Sequence, residues 1–234
     1  MKPLIEFRDI NLNFNGKKIL NEVNLSVDEN EILGLVGRSG TGKTTLFRLF
    51  LGIYKPSSGT IFFNGKKINK KIKHHVGFAS QDGSFYPRLT VEENLAYFGR
   101  IYKLSEKVIK VRTKQLLELM QLQYAGNTKA ENLSGGMKRR LDLALAMIHD
   151  PKVLVLDEPT TGLDIILNEN IWDLILAIHK SGKTIIVSSH NLVEIEKYCT
   201  NVALVSHGKI VPSGELKGIK LEKWFRSFTN DASI

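Results

Sequence analysis

Gly37-Arg38-Ser39-Gly40-Thr41-Gly42-Lys43-Thr44 stands directly after a continuous apolar run, Ile32-Leu33-Gly34-Leu35-Val36, and opens a segment of helical spacing over residues 43–51. The octet fits G-x-x-x-x-G-K-[ST] at every fixed position, and a buried strand before it with a helix after it is the context that this motif requires. Its glycines let the backbone turn sharply so that N–H groups converge on phosphate oxygens. The start of the following helix adds partial positive charge. In this pattern Lys43 reaches the β/γ-phosphates and Thr44 offers its hydroxyl to Mg²⁺. Thr45 is available to the α-phosphate.

Outward from the octet, the pattern alternates between strand and helix. Residues 4–14 and 17–27 alternate apolar and polar side chains around Asn15-Gly16, a hairpin signal. A second hairpin is expected at 60–63 and 66–68 around Asn64-Gly65, and a third over 202–211 around His207-Gly208. Apolar runs at 75–79, 153–156 and 184–188 read as further strands. Helical patterns cover 91–102, 106–122, 136–149, 167–179 and 192–199. Such alternation argues an α/β layer architecture. Residues 85–149 read as helix after helix with no strand, a helical lobe inserted into the core. The expected divisions are 1–84 and 150–215 for the two parts of the nucleotide-binding core, 85–149 for the lobe, and 216–234 for a basic C-terminal tail with one short helix.

Val153-Leu154-Val155-Leu156-Asp157-Glu158 places two carboxylates at the C-terminal end of a buried strand, where ligand sites of open α/β sheets lie. Asp157 there suits Mg²⁺ held through water, and Glu158 suits proton abstraction from an attacking water. With the phosphate loop, this pair gives a P-loop NTPase that hydrolyses a nucleoside triphosphate.

Leu133-Ser134-Gly135-Gly136-Met137-Lys138-Arg139-Arg140 adds a helix start that is itself an anion site, with Ser134 as N-cap. This string, shortly before the acidic strand, resembles the signature of ATP-binding cassette (ABC) ATPases. The resemblance extends from about residue 4 to residue 211. Gln81 falls at the Q-loop glutamine, Thr161-Gly162-Leu163-Asp164 resembles the D-loop, His190 resembles the switch histidine, and Phe14 matches the aromatic that stacks on adenine. Met137 stands where the commonest signature has glutamine. That form, followed by Lys-Arg-Arg-Leu, is similar to ATPases serving ABC-2 type exporters, as is Tyr86-Pro87-Arg88-Leu89-Thr90-Val91-Glu92-Glu93-Asn94-Leu95.

The resemblance implies a RecA-like parallel core with an N-terminal antiparallel β subdomain and the helical lobe. It implies a head-to-tail dimer, homomeric or with a second ABC ATPase, in which each ATP lies on Gly37–Thr45 of one subunit. Ser134, Gly135, Gly136 and Asp164 of the other subunit would cap it. Glu158 is the implied base, His190 positions the water, and Gln81 joins Thr44 and Asp157 around Mg²⁺. Transport through a separate integral-membrane permease follows, in the export direction. A soluble ABC ATPase of translation, nucleic-acid repair or cluster assembly is the competing expectation. It is weakened by the absence of a heptad array and by the presence of one cassette only.

Composition sets the outer bounds. The 234 residues are 42% hydrophobic and 24% charged, which excludes a disordered chain. A single cysteine, Cys199, excludes an internal disulfide framework. No apolar run approaches the ~18–20 residues of a membrane span. Charges occupy the N-terminus where a signal peptide would be apolar, so a cytoplasmic protein is expected, peripheral on the membrane. The 33 Lys and Arg against 24 Asp and Glu give +9, but the basic clusters are scattered and no specific nucleic acid partner is expected. The 44 residues after His190 (234 minus 190) leave no room for the extra domain of many importer ATPases, which also favours export.

Overall fold

The computed structural model describes residues 2–14 and 16–215 together with Leu221 and Phe225. The expected helix and tail beyond residue 215 otherwise lie outside the described residues, as does Asn15 of the first expected turn. Two units divide the chain: Met1–Lys73 with Thr184–Ile234, and His74–Lys183.

The first unit contains a four-stranded antiparallel sheet. β1 (Ile5–Phe14) lies between β2 (Lys17–Val27) and β4 (Ser58–Phe63), with a two-residue β5 (Lys66–Lys67) at the edge. Its register runs from Ile5 opposite Val27 to Phe14 opposite Lys17. The alternation predicted from sequence is visible as burial: Ile5, Phe7, Ile10 and Leu12 of β1 are buried, as are Leu20, Val23, Leu25 and Val27 of β2. Asn64 and Gly65 both take positive φ, 49° and 70°, as a two-residue primed turn between β4 and β5 demands. His207 and Gly208 do the same, at 49° and 73°, between β9 (Asn201–Ser206) and β10 (Lys209–Glu215).

The same unit holds parallel strands. β3 (Ile32–Val36) pairs with β8 (Thr184–Ser189) on one side and with β9 on the other, and β10 adds an antiparallel edge. Every residue of β3 and β8 is buried, the condition of a strand covered on both faces. α1 (Lys43–Phe50) follows β3, and α6 (Leu192–Tyr198) packs on it. That packing explains Gly34 inside a strand. A Cβ there would lie 2.7 Å from Ile195 and 3.0 Å from the Cys199 sulfur, which fill the space instead.

In the second unit β6 (Val76–Ala79) runs parallel to β7 (Val153–Asp157). Between them come α2 (Val91–Ile101), α3 (Glu106–Leu119) and α4 (Gly135–Met147), and α5 (Ile165–Lys180) follows β7. All four helices have side-chain N-caps: Thr90 in a full capping box with Glu93, Ser105, Ser134 and Asp164. Each such cap is worth about 1 kcal/mol. α4 seats its Leu141–Met147 stretch in the core, where each fully buried Leu or Met contributes ~1.5–3 kcal/mol.

Some boundaries differ from the sequence expectation. α3 stops at Leu119, not at 122, because Gln121 turns left-handed (φ 54°) and a short 3-10 turn, Gln123–Ala125, follows. α5 begins two residues early, since the Asp164 carboxylate accepts the Leu167 N–H at 2.9 Å. The strand expected at 75–79 is preceded by a 3-10 segment, Lys70–His74, that spacing did not show. An isolated antiparallel bridge, Thr90 to Lys129, occurs among the helices.

Candidate functional site

Chemistry-bearing residues lie in both units. In the first, the chain leaves β3 at Val36 and turns through Gly37–Gly42 into α1. Gly37 is pressed against the Val205 carbonyl of β9, and a Cβ there would also lie 2.8 Å from Thr41 Oγ1. Gly40 and Gly42 take φ of 81° and 111°, conformations costly to other residues. Thr41 Oγ1 donates to the Arg38 carbonyl at 2.8 Å and tightens the loop. Lys43, the first residue of α1, is only 5% exposed. Its ammonium donates back to the carbonyls of Gly37 at 2.8 Å and Arg38 at 3.3 Å. A buried ammonium needs such partners, and here the loop supplies them from its own backbone.

Beside the loop lies a cavity of about 480 Å³, lined among others by Lys17, Lys18, Arg38, Ser39, Thr41 and His207. Three fixed cations around an open space suit a polyanion. Thr44 and Thr45 are half-buried in the first turn of α1. Phe14 is not among the residues lining this cavity. It is exposed and meets Tyr54 edge-on, with ring centroids 5.1 Å apart. His190 is exposed immediately beyond β8, before the Asn191 cap of α6.

In the second unit the β7 strand ends at Asp157, buried to 5% exposure. Glu158 follows with φ of 49°, a left-handed conformation that a glutamate adopts only when its surroundings impose it. Its carboxylate accepts the Thr161 hydroxyl at 3.0 Å. Gln81 is exposed one residue after Ser80, just past the end of β6. The start of α4 is open: Ser134 and Gly135 are exposed, and nothing lies within 4 Å of a Cβ built on Gly135. Ser134 Oγ accepts the Met137 N–H at 3.3 Å, so the first amides of a 13-residue helix remain directed outward. Gly136 packs against Leu167, which brings the capped start of α4 beside the Asp164-capped start of α5.

Sequence reasoning missed three residues here. Thr161 was read only as part of a string. Arg139 is 8% exposed, and its guanidinium donates to the carbonyls of Ser80, Asp157, Glu158 and Pro159. Burial holds its pKa below the usual arginine range, against the pull of Asp142, Asp157 and Glu158. Asp142, one turn on, accepts the Ser84 N–H at 2.7 Å. Burial pushes its pKa up to about 6, opposed by the Ser84 N–H and by Arg139. The available signal was an Arg and an Asp three apart at the head of the apolar run Leu141–Met147.

Among the described residues no cluster of three or more His, Cys, Asp or Glu could hold a metal, and no helix is long and apolar enough to cross a membrane.

Three comparisons relate the chain to known proteins. A family model described as ABC transporter matches residues 20–161. A protein named Nod factor export ATP-binding protein I from Burkholderia lata is 38% identical over 213 residues, covering 90% of this chain and 70% of that protein. A protein of the same name from Rhizobium johnstonii is 35% identical over 213 residues, covering 90% and 68%. Among solved structures, cbiO1 from Clostridium perfringens, described as part of the ABC transporter complex cbiONQ, superposes with a TM-score of 0.87 at 30% identity. It covers 100% of this chain and 96% of that chain.

Proposed function

This chain belongs to the ABC transporter family as an ATP-binding, ATP-hydrolysing subunit, and we propose from that premise that it drives export through a separate integral-membrane permease. The export direction is supported by the relatives named for Nod factor export and by the Ser134-Gly135-Gly136-Met137 form of the signature. Substrate choice falls to the permease. The chain would act on the cytoplasmic face of the membrane, as a homodimer or with a second ABC ATPase.

The observation that carries the nucleotide assignment is the loop after β3, with its buried Lys43 ammonium held on the loop's own carbonyls. Incoming phosphate oxygens offer that ammonium ionised acceptors in place of neutral carbonyls, so the bond gains an opposite charge. The amides of residues 39–45 and the start of α1 receive the remaining phosphate charge. Phe14 would stack on the adenine. Thr44, Gln81 and Asp157 are the groups that would hold Mg²⁺. These are one hydroxyl, one amide oxygen and one carboxylate, and Mg²⁺ ordinarily keeps waters and substrate phosphates as its other ligands. When bound, it neutralises charge developing on the β- and γ-phosphates. Glu158 would take the proton of the attacking water and His190 would orient that water. Ser134 and Gly136 would reach the γ-phosphate of an ATP held by the partner subunit, through the start of α4, where Ser134 and Gly135 are exposed.

The decisive variant is Glu158→Gln. It keeps the side-chain shape and the acceptor for Thr161 but cannot take a proton. ATP binding should persist while hydrolysis falls at least ~10²-fold, the lower range for a general base. With Mg-ATP, the variant should elute as a dimer on size exclusion. Hydrolysis at the parental rate would remove Glu158 from the role of base.

A further inference from the structure

Arg139 occupies a place that phosphate chemistry alone does not explain. It lies on α4, one and a half turns past Ser134, and is buried. Taking a guanidinium out of water is unfavourable by several kcal/mol unless its donors are satisfied. Here they are satisfied almost wholly by backbone. One branch donates to the Ser80 carbonyl at 2.8 Å, at the root of the Gln81 segment. The rest of the fork donates to the carbonyls of Glu158 and Pro159, with a longer bond of 3.4 Å to Asp157. Those carbonyls flank the one residue after β7 that is forced into the left-handed region, Glu158 at φ 49°. A left-handed glutamate costs of order 1–3 kcal/mol and persists only when its neighbours over-determine it. Arg139 supplies that determination, because a planar fork fixes the direction of several acceptors at once. Asp142 keeps a negative charge beside the guanidinium and is itself anchored by the Ser84 N–H.

We propose that Arg139 is a positioning residue for hydrolysis: it holds the Glu158 backbone in the conformation that aims the carboxylate at the attacking water. The proposal rests on Glu158 being the general base. Three of its four carbonyl acceptors belong to Asp157, Glu158 and Pro159, so its effect on turnover passes chiefly through Glu158. A displacement of about 1 Å in a catalytic group can cost 10²-fold in rate.

The test uses the full chain with Arg139→Met, Arg139→Lys, Glu158→Gln and the double variant Arg139→Met/Glu158→Gln. ATP affinity is measured by equilibrium dialysis and turnover is expressed per folded molecule. Arg139→Met should lower kcat by roughly 10²-fold while ATP affinity changes less than about threefold, because its carbonyl partners at Ser80, Asp157, Glu158 and Pro159 are not residues of the phosphate loop. The double variant should turn over within about threefold of Glu158→Gln alone, since a base that is already absent cannot be misplaced. Arg139→Lys keeps the charge but cannot fork across the carbonyls of Ser80, Glu158 and Pro159, so it should still lose at least about tenfold in kcat. If Arg139→Met does not fold, Arg139→Lys decides. With Glu158→Gln crippled, near-parental kcat in the Arg139 variants overturns the proposal. So does a double variant in which the two losses multiply. Parental turnover in Glu158→Gln is a different failure: it removes the base itself, and the positioning role falls with it.

Discussion

His149 shows how far one side chain can tie stability to pH. Its ring stacks on Tyr102 at 3.7 Å with an interplanar angle of 9°, and its Nε2 meets the Val76 carbonyl at 3.2 Å. Its Nδ1 is buried without a hydrogen-bond partner. Burial lowers its pKa from 6.5 to about 4, with only the Val76 carbonyl and Asp150 acting in the other direction. A base depressed in the folded state binds fewer protons than in the unfolded state between those values. Its contribution to stability is therefore full above pH 6.5 and is lost as pH falls toward 4. Asp142, raised to about 6, has the opposite sign: it costs stability as pH rises through that range. A comparison of variants separates the two. Between pH 7 and 4.5, the wild type should lose about 2 kcal/mol more stability than His149→Phe in urea titrations, from 1.36 kcal/mol per pKa unit. Equal losses would show that His149 does not titrate in this window. At this scale the sequence was legible where partners are sequence neighbours. The Lys43 ammonium meets Gly37 six positions back and the Glu158 carboxylate meets Thr161 three positions on, but the Arg139 guanidinium reaches 59 positions back to Ser80, and nothing local announces that contact.

Elements were legible through their ends more than their middles. Thr90, Ser105, Ser134 and Asp164 each cap a helix with a side-chain bond, and three of those starts agree with spacing to within a residue. α5 did not, because Ile165 and Ile166 are apolar yet 81% and 73% exposed, so the helix starts before its buried face does. A glycine in β6 was equally silent. Gly77 faces α4, and a Cβ there would collide with the Ala146 carbonyl and come within 3.1 Å of Pro151 Cγ. The backbone of a packed helix cannot rotate aside as a side-chain tip can. Gly77→Ala should therefore destabilise by about 2–3 kcal/mol, in the range of core overpacking. For a chain of this size that corresponds to a fall of roughly 4–12 °C in thermal midpoint. An unchanged midpoint in a thermal melt would mean that α4 does not seat on β6 as described.

For the whole molecule, the α/β class followed from one strand–loop–helix, while the arrangement of subunits is invisible to a single chain. Two exposed helix starts, Ser134 and Asp164, sit side by side in the second unit, yet the phosphate loop lies in the first. In the proposed head-to-tail dimer these surfaces meet across subunits. Lys43→Ala should abolish hydrolysis by removing the ammonium that offsets phosphate charge. Ser134→Arg should let ATP bind but block closure, because a bulky side chain covers the first amides of α4. Each variant alone should be inactive. Mixed, they should regain part of the ATPase activity, since one site of the mixed dimer carries both lesions and the other carries neither. The readout is phosphate release against mixing ratio, with mixed-dimer formation checked by differently tagged subunits. Zero activity in demonstrably mixed dimers leaves two explanations, and a third mixture separates them. Ser134→Arg with wild type has one intact site if Ser134 acts across the interface. In mixed dimers isolated through both tags, free of wild-type homodimers, strict two-site coupling would silence hydrolysis as well. If instead Ser134 serves its own subunit, the wild-type protomer keeps an intact site and hydrolysis persists.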